Sequence, residues 1–210
     1  MGMLAGGSVR TASTVANDIF HAISAGDYRL MQTVHRWRAP RWVRIWMLCA
    51  TRGGDGWLWY TLGAVLLAFG GDQRFPAVGA AAIAVAIGIL LFRLLKKKIG
   101  RRRPCAIEPH CWSTLLPPDQ FSFPSGHTIT AFAVAVSLSI FYPGLSVGLL
   151  FCASSVAISR IMLGMHFLTD VLVGALLGSA LAYLSDHLMI RLAGVVAAGR
   201  PGLARLFINL

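Results

Sequence analysis

The chain has 210 residues, 56% of them hydrophobic and 13% charged, and a formal net charge of +11. Soluble domains carry about 25% charged residues, so this balance excludes an ordinary water-soluble globule and points to a membrane. Nucleic-acid binding is not expected either, because the densest cations close an apolar run and have no aromatic platform beside them.

No basic region followed by an apolar run opens the sequence, so a cleaved signal is not expected. Residues 14–38 mix Ile19, Phe20, Ile23, Leu30, Met31 and Trp37 with Arg and His, which reads as an amphipathic segment at the membrane interface. From Trp42 the chain turns apolar, is interrupted by Arg52-Gly53-Gly54-Asp55-Gly56, and resumes from Trp57 to Gly71. One long tilted helix would fit this stretch, and so would a short helix followed by a span. Trp42, Trp46, Trp57 and Trp59 suit an interfacial aromatic belt.

A clear span runs from Pro76 to Leu95, close to the ~20 residues needed to cross a bilayer. The loop 96–126 follows. It is apolar for a loop, with Trp112, Leu115, Leu116, Phe121 and Phe123, so it either lies on the bilayer beside a lipid entry path or packs as an ordinary loop. Cys105 and Cys111 share it and could pair at an oxidising face. Thr128–Tyr142 is the next span, Pro143-Gly144 a turn, and Leu145–Ser159 the return. A last span covers 167–190, and a tail with Arg191, Arg200 and Arg205 follows. The expected fold is all-α: an integral membrane helical bundle of about five or six transmembrane helices. Residues 1–56 form the N-terminal amphipathic segment, 57–190 the transmembrane domain and 191–210 the basic tail.

Three polar clusters interrupt the apolar runs: Lys96 with Arg103-Pro104, Pro124-Ser125-Gly126-His127, and Ser159-Arg160 through His166 to Asp170. The alternation of spans brings all three to one membrane face. Their chemistry suits phosphoryl transfer. A neutral His166 can attack phosphorus and split hydrolysis into two easier steps. Asp170, at i+4, can orient its ring and stabilise the cation that forms. His127 can protonate the leaving oxygen. Ser125 and Gly126, at a helix start, offer backbone amides to an anion. Lys96, Arg103 and Arg160 supply cations for the equatorial oxygens.

Each cluster alone also has an ordinary reading. His166 and Asp170 could be an interfacial histidine and a helix cap. Pro-Ser-Gly-His could be a simple turn. Lys96, Lys97, Lys98, Arg101 and Arg102 could grip anionic headgroups. Gly174 and Gly178 continue the stripe from Asp170 and read as helix packing. No acidic cluster suited to a metal is present, so neither a metal nor a cofactor is expected.

Taken together, the clusters resemble the three motifs of the type 2 phosphatidic acid phosphatase family, the lipid phosphate phosphatases. The first motif is Lys, six residues, then Arg-Pro, here Lys96 to Arg103-Pro104. The second, Pro-Ser-Gly-His, stands at 124–127, and the third runs intact from Ser159 to Asp170. The resemblance covers roughly residues 57–190. It implies a helical membrane bundle and a metal-independent phosphatase that works through phosphohistidine. Carried over by motif, His166 is the nucleophile, Asp170 its partner and His127 the acid, while Lys96, Arg103, Ser125, Gly126 and Arg160 hold the phosphate.

Phosphatidylglycerol phosphate, undecaprenyl pyrophosphate or lipid A 1-phosphate is the implied kind of substrate, and membrane lipids are the other partners. A phosphotransferase using the same phosphohistidine is the alternative enzyme, and a lipid-binding membrane protein without catalysis the alternative class. Counting Lys and Arg nominally puts the active face inside. The resemblance favours a bacterial inner membrane with a periplasmic active face.

Overall fold

Apolar runs bounded by glycine and proline set the helices. The structure, a computed structural model, describes residues 12–108 and 119–199. The amphipathic segment is helix α1 (Ala12–Arg36). The interruption at Gly53-Gly54-Asp55-Gly56 breaks the following stretch into α2 (Arg41–Gly54) and α3 (Trp57–Phe69). This decides for two helices, because Gly56 takes φ +123, which no helix continues through.

Helix α4 (Arg74–Ile99) is longer than the span 76–95. It runs past Lys96 and stops at Gly100, a left-handed cap whose amide bonds to the Lys96 carbonyl. Lys96, Lys97 and Lys98 therefore sit in the last helical turn, where the helix dipole favours cations. A short helix α5 (Pro104–Ile107) opens with proline at its first position. Helices α6 (Gly126–Phe141), α7 (Ser146–Met162) and α8 (Leu168–Gly199) complete the bundle. The Cys105–Cys111 pairing, most of the apolar loop and the arginines of the tail beyond Arg191 fall on residues outside those described.

Gly71–Ile99, Pro143–Met162 and Leu168–Leu192 are long and apolar enough to cross a bilayer, with α3 and α6 as shorter apolar helices beside them. The outward faces are greasy: Leu90, Leu94, Val147, Phe151, Leu172 and Leu176 are all exposed. Apolar surface of that extent matches hydrocarbon, not water. The inward faces carry small residues instead. Ala77, Ala80 and Ala84 on α4 and Ala131, Ala133 and Ala135 on α6 are fully buried. The chain is an all-α integral membrane bundle.

Lipid tails are as apolar as leucine, so helices in a bilayer associate through close packing of small residues. Helix α6 occupies the centre, packed against α4, α7 and α8, while α2 lies on α7. Along α8, Gly174 and Gly178 let the backbones of α8 and α6 approach. A Cβ on Gly178 would stand 2.4 Å from the Ile129 carbonyl oxygen, and one on Gly174 3.0 Å from the Ser125 carbonyl.

Gly178→Ala is therefore expected to destabilise the bundle by about 1–3 kcal/mol, because the clash is with backbone that cannot rotate away. Gly63→Ala, with nothing within 4 Å of the added Cβ, is expected to be neutral or stabilising. Thermal unfolding of the two variants in detergent checks the contrast.

Candidate active site

The close approach of α6 and α8 joins the second and third clusters directly. The Ser125 amide donates to the Asp170 carbonyl at 3.1 Å, and Thr128 Oγ1 donates to Ser125 Oγ at 2.9 Å. Ser125 is fully buried at the N-terminal cap of α6. His127, two residues further in the first turn of α6, meets Asp55 from the α2–α3 junction, with Nε2 2.8 Å from Asp55 Oδ1.

His166 lies in the short connection between α7 and α8 and is 2% exposed. Its Nε2 stands 3.4 Å from Arg103 Nη1. Its Nδ1 is 3.7 Å from Asp170 Oδ2, within ion-pair range but longer than a hydrogen bond, and has no hydrogen-bond partner among the described residues. Asp170 is already engaged: Oδ2 accepts from the Phe167 amide at 2.8 Å, and Oδ1 accepts from Arg101 at 2.7 Å.

The cations of the first cluster converge on a carboxylate that sequence reading did not single out. Lys96 Nζ donates to Asp119 Oδ2 at 2.6 Å, and Arg103 Nη2 donates to Asp119 Oδ1 at 2.8 Å. Arg103 also holds the carbonyls of Asp119 and Met165, which leaves it 1% exposed. Arg160, 4% exposed, donates to Thr51 on α2 at 2.5 Å, and its Nε has no hydrogen-bond partner among the described residues.

One groove of about 1210 Å³ receives Lys96, Arg103, Asp119, Gly126, His127 and His166. The same groove runs on between α3, α4 and α6 along Leu67, Val85, Ile89, Phe92, Val134 and Leu138. It is polar at one end and apolar along its length. A molecule with a phosphate at one end and an acyl or prenyl chain at the other matches that division.

Asp55, Thr51, Asp119, Arg101 and Asp27 are the polar partners that the motifs did not reveal. Asp55 sits in the Gly-Gly-Asp-Gly stretch, where sequence alone showed only a break. Asp119 sits five residues before Pro124, with no periodic pattern around it. The polar contacts also cross the boundary at residue 57, through Asp27, Thr51 and Asp55.

Residues 77–192, more than half of the chain, match the PAP2 superfamily. The chain belongs to that superfamily. This PAP2 protein is 31% identical over 147 residues to a lipid A 1-phosphatase of Rhizobium johnstonii, covering 60% of this chain and 59% of that protein. It is 33% identical over 135 residues to a decaprenylphosphoryl-5-phosphoribose phosphatase of Mycobacterium tuberculosis, covering 62% of this chain and 70% of that one. The chain thus spans less than two thirds of the length of the lipid A 1-phosphatase it matches. Among solved structures, it is similar to the transmembrane PAP2 type phosphatidylglycerolphosphate phosphatase of Bacillus subtilis. The TM-score is 0.65 at 27% identity, covering 81% of this chain and 87% of that one.

Burial pushes the His166 imidazole down to about 3, with Arg160 and Arg103 acting in the same direction and Asp170 against it. The ring is therefore neutral at ordinary pH, which is the form able to attack phosphorus. Burial alone would raise Asp119, but Lys96 and Arg103 hold it at about 2. Both groups are depressed relative to the unfolded chain, so the unfolded state binds more protons and stability rises with pH. The His166 contribution is complete above its unfolded value of about 6.5 and is lost as pH falls toward 3. The Asp119 contribution is lost only below about 4. The unfolding temperature in detergent is expected to fall between pH 7 and pH 4.5, and His166→Asn is expected to remove part of that fall, the rest coming from His127, whose imidazole burial pushes down to about 4.

Proposed function

We propose that the chain is a metal-independent membrane phosphatase that removes phosphate from a lipid phosphomonoester or pyrophosphate. The observation that carries this reading is the placement of buried, neutral His166 at the cationic end of a groove whose remaining length is apolar. In the first step, His166 Nε2 attacks phosphorus and the bond from phosphorus to the lipid oxygen breaks. His127, held by Asp55, gives its proton to the departing oxygen. Asp170 faces the other ring nitrogen, where it stabilises the positive charge of the phosphorylated imidazole.

Water then attacks the phosphohistidine, and His127 takes back the proton as the base. Lys96, Arg103 and Arg160 stabilise the charge on the transferring group, with Ser125 and Gly126 at the α6 terminus. The relatives support lipid phosphates as the substrate class, since their names describe a lipid A 1-phosphatase and a polyprenyl-linked sugar phosphatase. Phosphatidylglycerol phosphate, undecaprenyl pyrophosphate and lipid A 1-phosphate are the substrates to test. In this reading the protein sits in a bacterial inner membrane with the groove facing the periplasm.

Asp119 fits the same reading as an internal anion. It holds Lys96 and Arg103, the cations that the substrate phosphate would claim. A phosphate entering the site must displace it.

The purified protein, with EDTA present, is expected to release inorganic phosphate from at least one of those three lipids. His166→Ala is expected to lower that release by ~1000-fold or more, the scale of losing a covalent nucleophile. Release that needs added Mg²⁺ would contradict the mechanism, and phosphate appearing on an acceptor in place of water would turn the reading toward a phosphotransferase. Asp119→Asn is expected to tighten competitive inhibition by inorganic phosphate by about tenfold, the scale of one charged hydrogen bond.

A further inference from the structure

The machinery proposed above leaves one buried charge network unused. It begins on α1, outside the residues that match the family, and ends on Asp170. Asp27 projects from α1 with its side chain 2% exposed. Its Oδ2 accepts from Arg101 Nη2 at 2.7 Å and from the Thr169 hydroxyl, and its Oδ1 accepts from the Thr169 amide at 3.2 Å. Arg101 in turn donates through Nη1 to Asp170 Oδ1 at 2.7 Å and to Thr169 Oγ1 at 2.8 Å. One guanidinium therefore bridges two buried carboxylates from different helices.

Several features hold that guanidinium in place. Gly100 turns the chain back immediately before it, with φ +64. The Arg101 carbonyl accepts from the Ser122 amide at 2.8 Å, and its guanidinium lies 4.1 Å from the centre of the Phe167 ring. At 22% side-chain exposure, Arg101 has both terminal nitrogens paired with buried carboxylates. Its planar fork suits a bridge between two carboxylates, which a lysine point charge does not reproduce.

The consequence falls on His166. Asp170 can orient the imidazole only if its own carboxylate does not rotate. Arg101 pins Oδ1 and the Phe167 amide pins Oδ2, which leaves Oδ2 facing His166 Nδ1. Asp27 fixes Arg101 and also caps the first turn of α8 through the Thr169 amide. We propose that Asp27 and Arg101 are positioning residues for the His166–Asp170 pair, so that α1 is part of the catalytic unit. This rests on the phosphatase reading above, because it assigns the network a role through His166.

The test compares wild type, Asp27→Asn, Arg101→Gln, Arg101→Lys and the Asp27→Asn/Arg101→Gln double variant, using the lipid on which wild type releases phosphate. The expected result is a fall in kcat of roughly 10- to 100-fold for Asp27→Asn and Arg101→Gln, the range seen when the outer partner of a metal-bound histidine is removed. KM and the inhibition constant of inorganic phosphate stay within about twofold, because Lys96, Arg103 and Arg160 are untouched. Arg101→Lys recovers part of the loss. The double variant is no worse than Arg101→Gln alone, as expected for residues acting through one another.

Two results overturn the proposal: kcat within twofold of wild type for both single variants, or phosphate affinity lost in step with kcat. If Arg101→Gln does not fold in detergent, Asp27→Asn and Thr169→Val decide by the same split between kcat and KM. A wild type that shows no His166-dependent release defeats the phosphatase reading and this proposal with it. An active wild type with unchanged variants defeats this proposal alone.

Discussion

The contact between α6 and α8 is the constraint on which the rest of the site depends. Gly174 and Gly178 bring the two backbones close enough for the Ser125 amide to reach the Asp170 carbonyl. That bond locks the N-terminus of α6 to the first turn of α8. Ser125, Gly126 and His127 stand on one side of it, and His166 and Asp170 on the other. A larger residue at 178 would press on the Ile129 carbonyl and separate the two clusters. The small residues thus act at a distance, by fixing how far apart two polar groups sit.

The second constraint is charge burial. Arg103, Arg160, Lys96 and Asp170 are all at most 8% exposed. An unpaired ion is expensive at membrane depth, so most of these groups meet opposite charge or hydrogen-bonding oxygens nearby. Apart from Asp170, the pairing carboxylates at the site come from outside the three clusters: Asp119 from the loop, Asp55 from the α2–α3 junction and Asp27 from α1. The N-terminal helices are consequently tied to the polar end of the groove by ion pairs as well as by packing. His166 is different. It is buried beside two arginines, and burial keeps it neutral, which is what a nucleophilic imidazole requires.

Membership of the PAP2 superfamily and the shape of the groove are separate observations. The family match rests on sequence over 77–192. The groove also draws on α3, which lies before that stretch, for Leu67 at its apolar end. A substrate with a long chain would lie along α3, α4 and α6 with its phosphate among the cations.

Much of this was legible in the residues themselves. Apolar runs with glycine and proline between them marked α4, α6, α7 and α8, because hydrophobic length and turn chemistry are local properties, while the split of the preceding stretch into α2 and α3 was left open. The three clusters could be placed on one face by alternating the spans, and their residue types suited phosphoryl transfer. What could not be read was which carboxylate answers which cation. Asp119 and Lys96 are 23 residues apart, Asp55 and His127 are 72 apart, and Asp27 and Arg101 are 74 apart. No local pattern encodes those pairings. They exist only because helix packing brings distant backbones together, and the energy of a buried charge depends on what the fold places beside it.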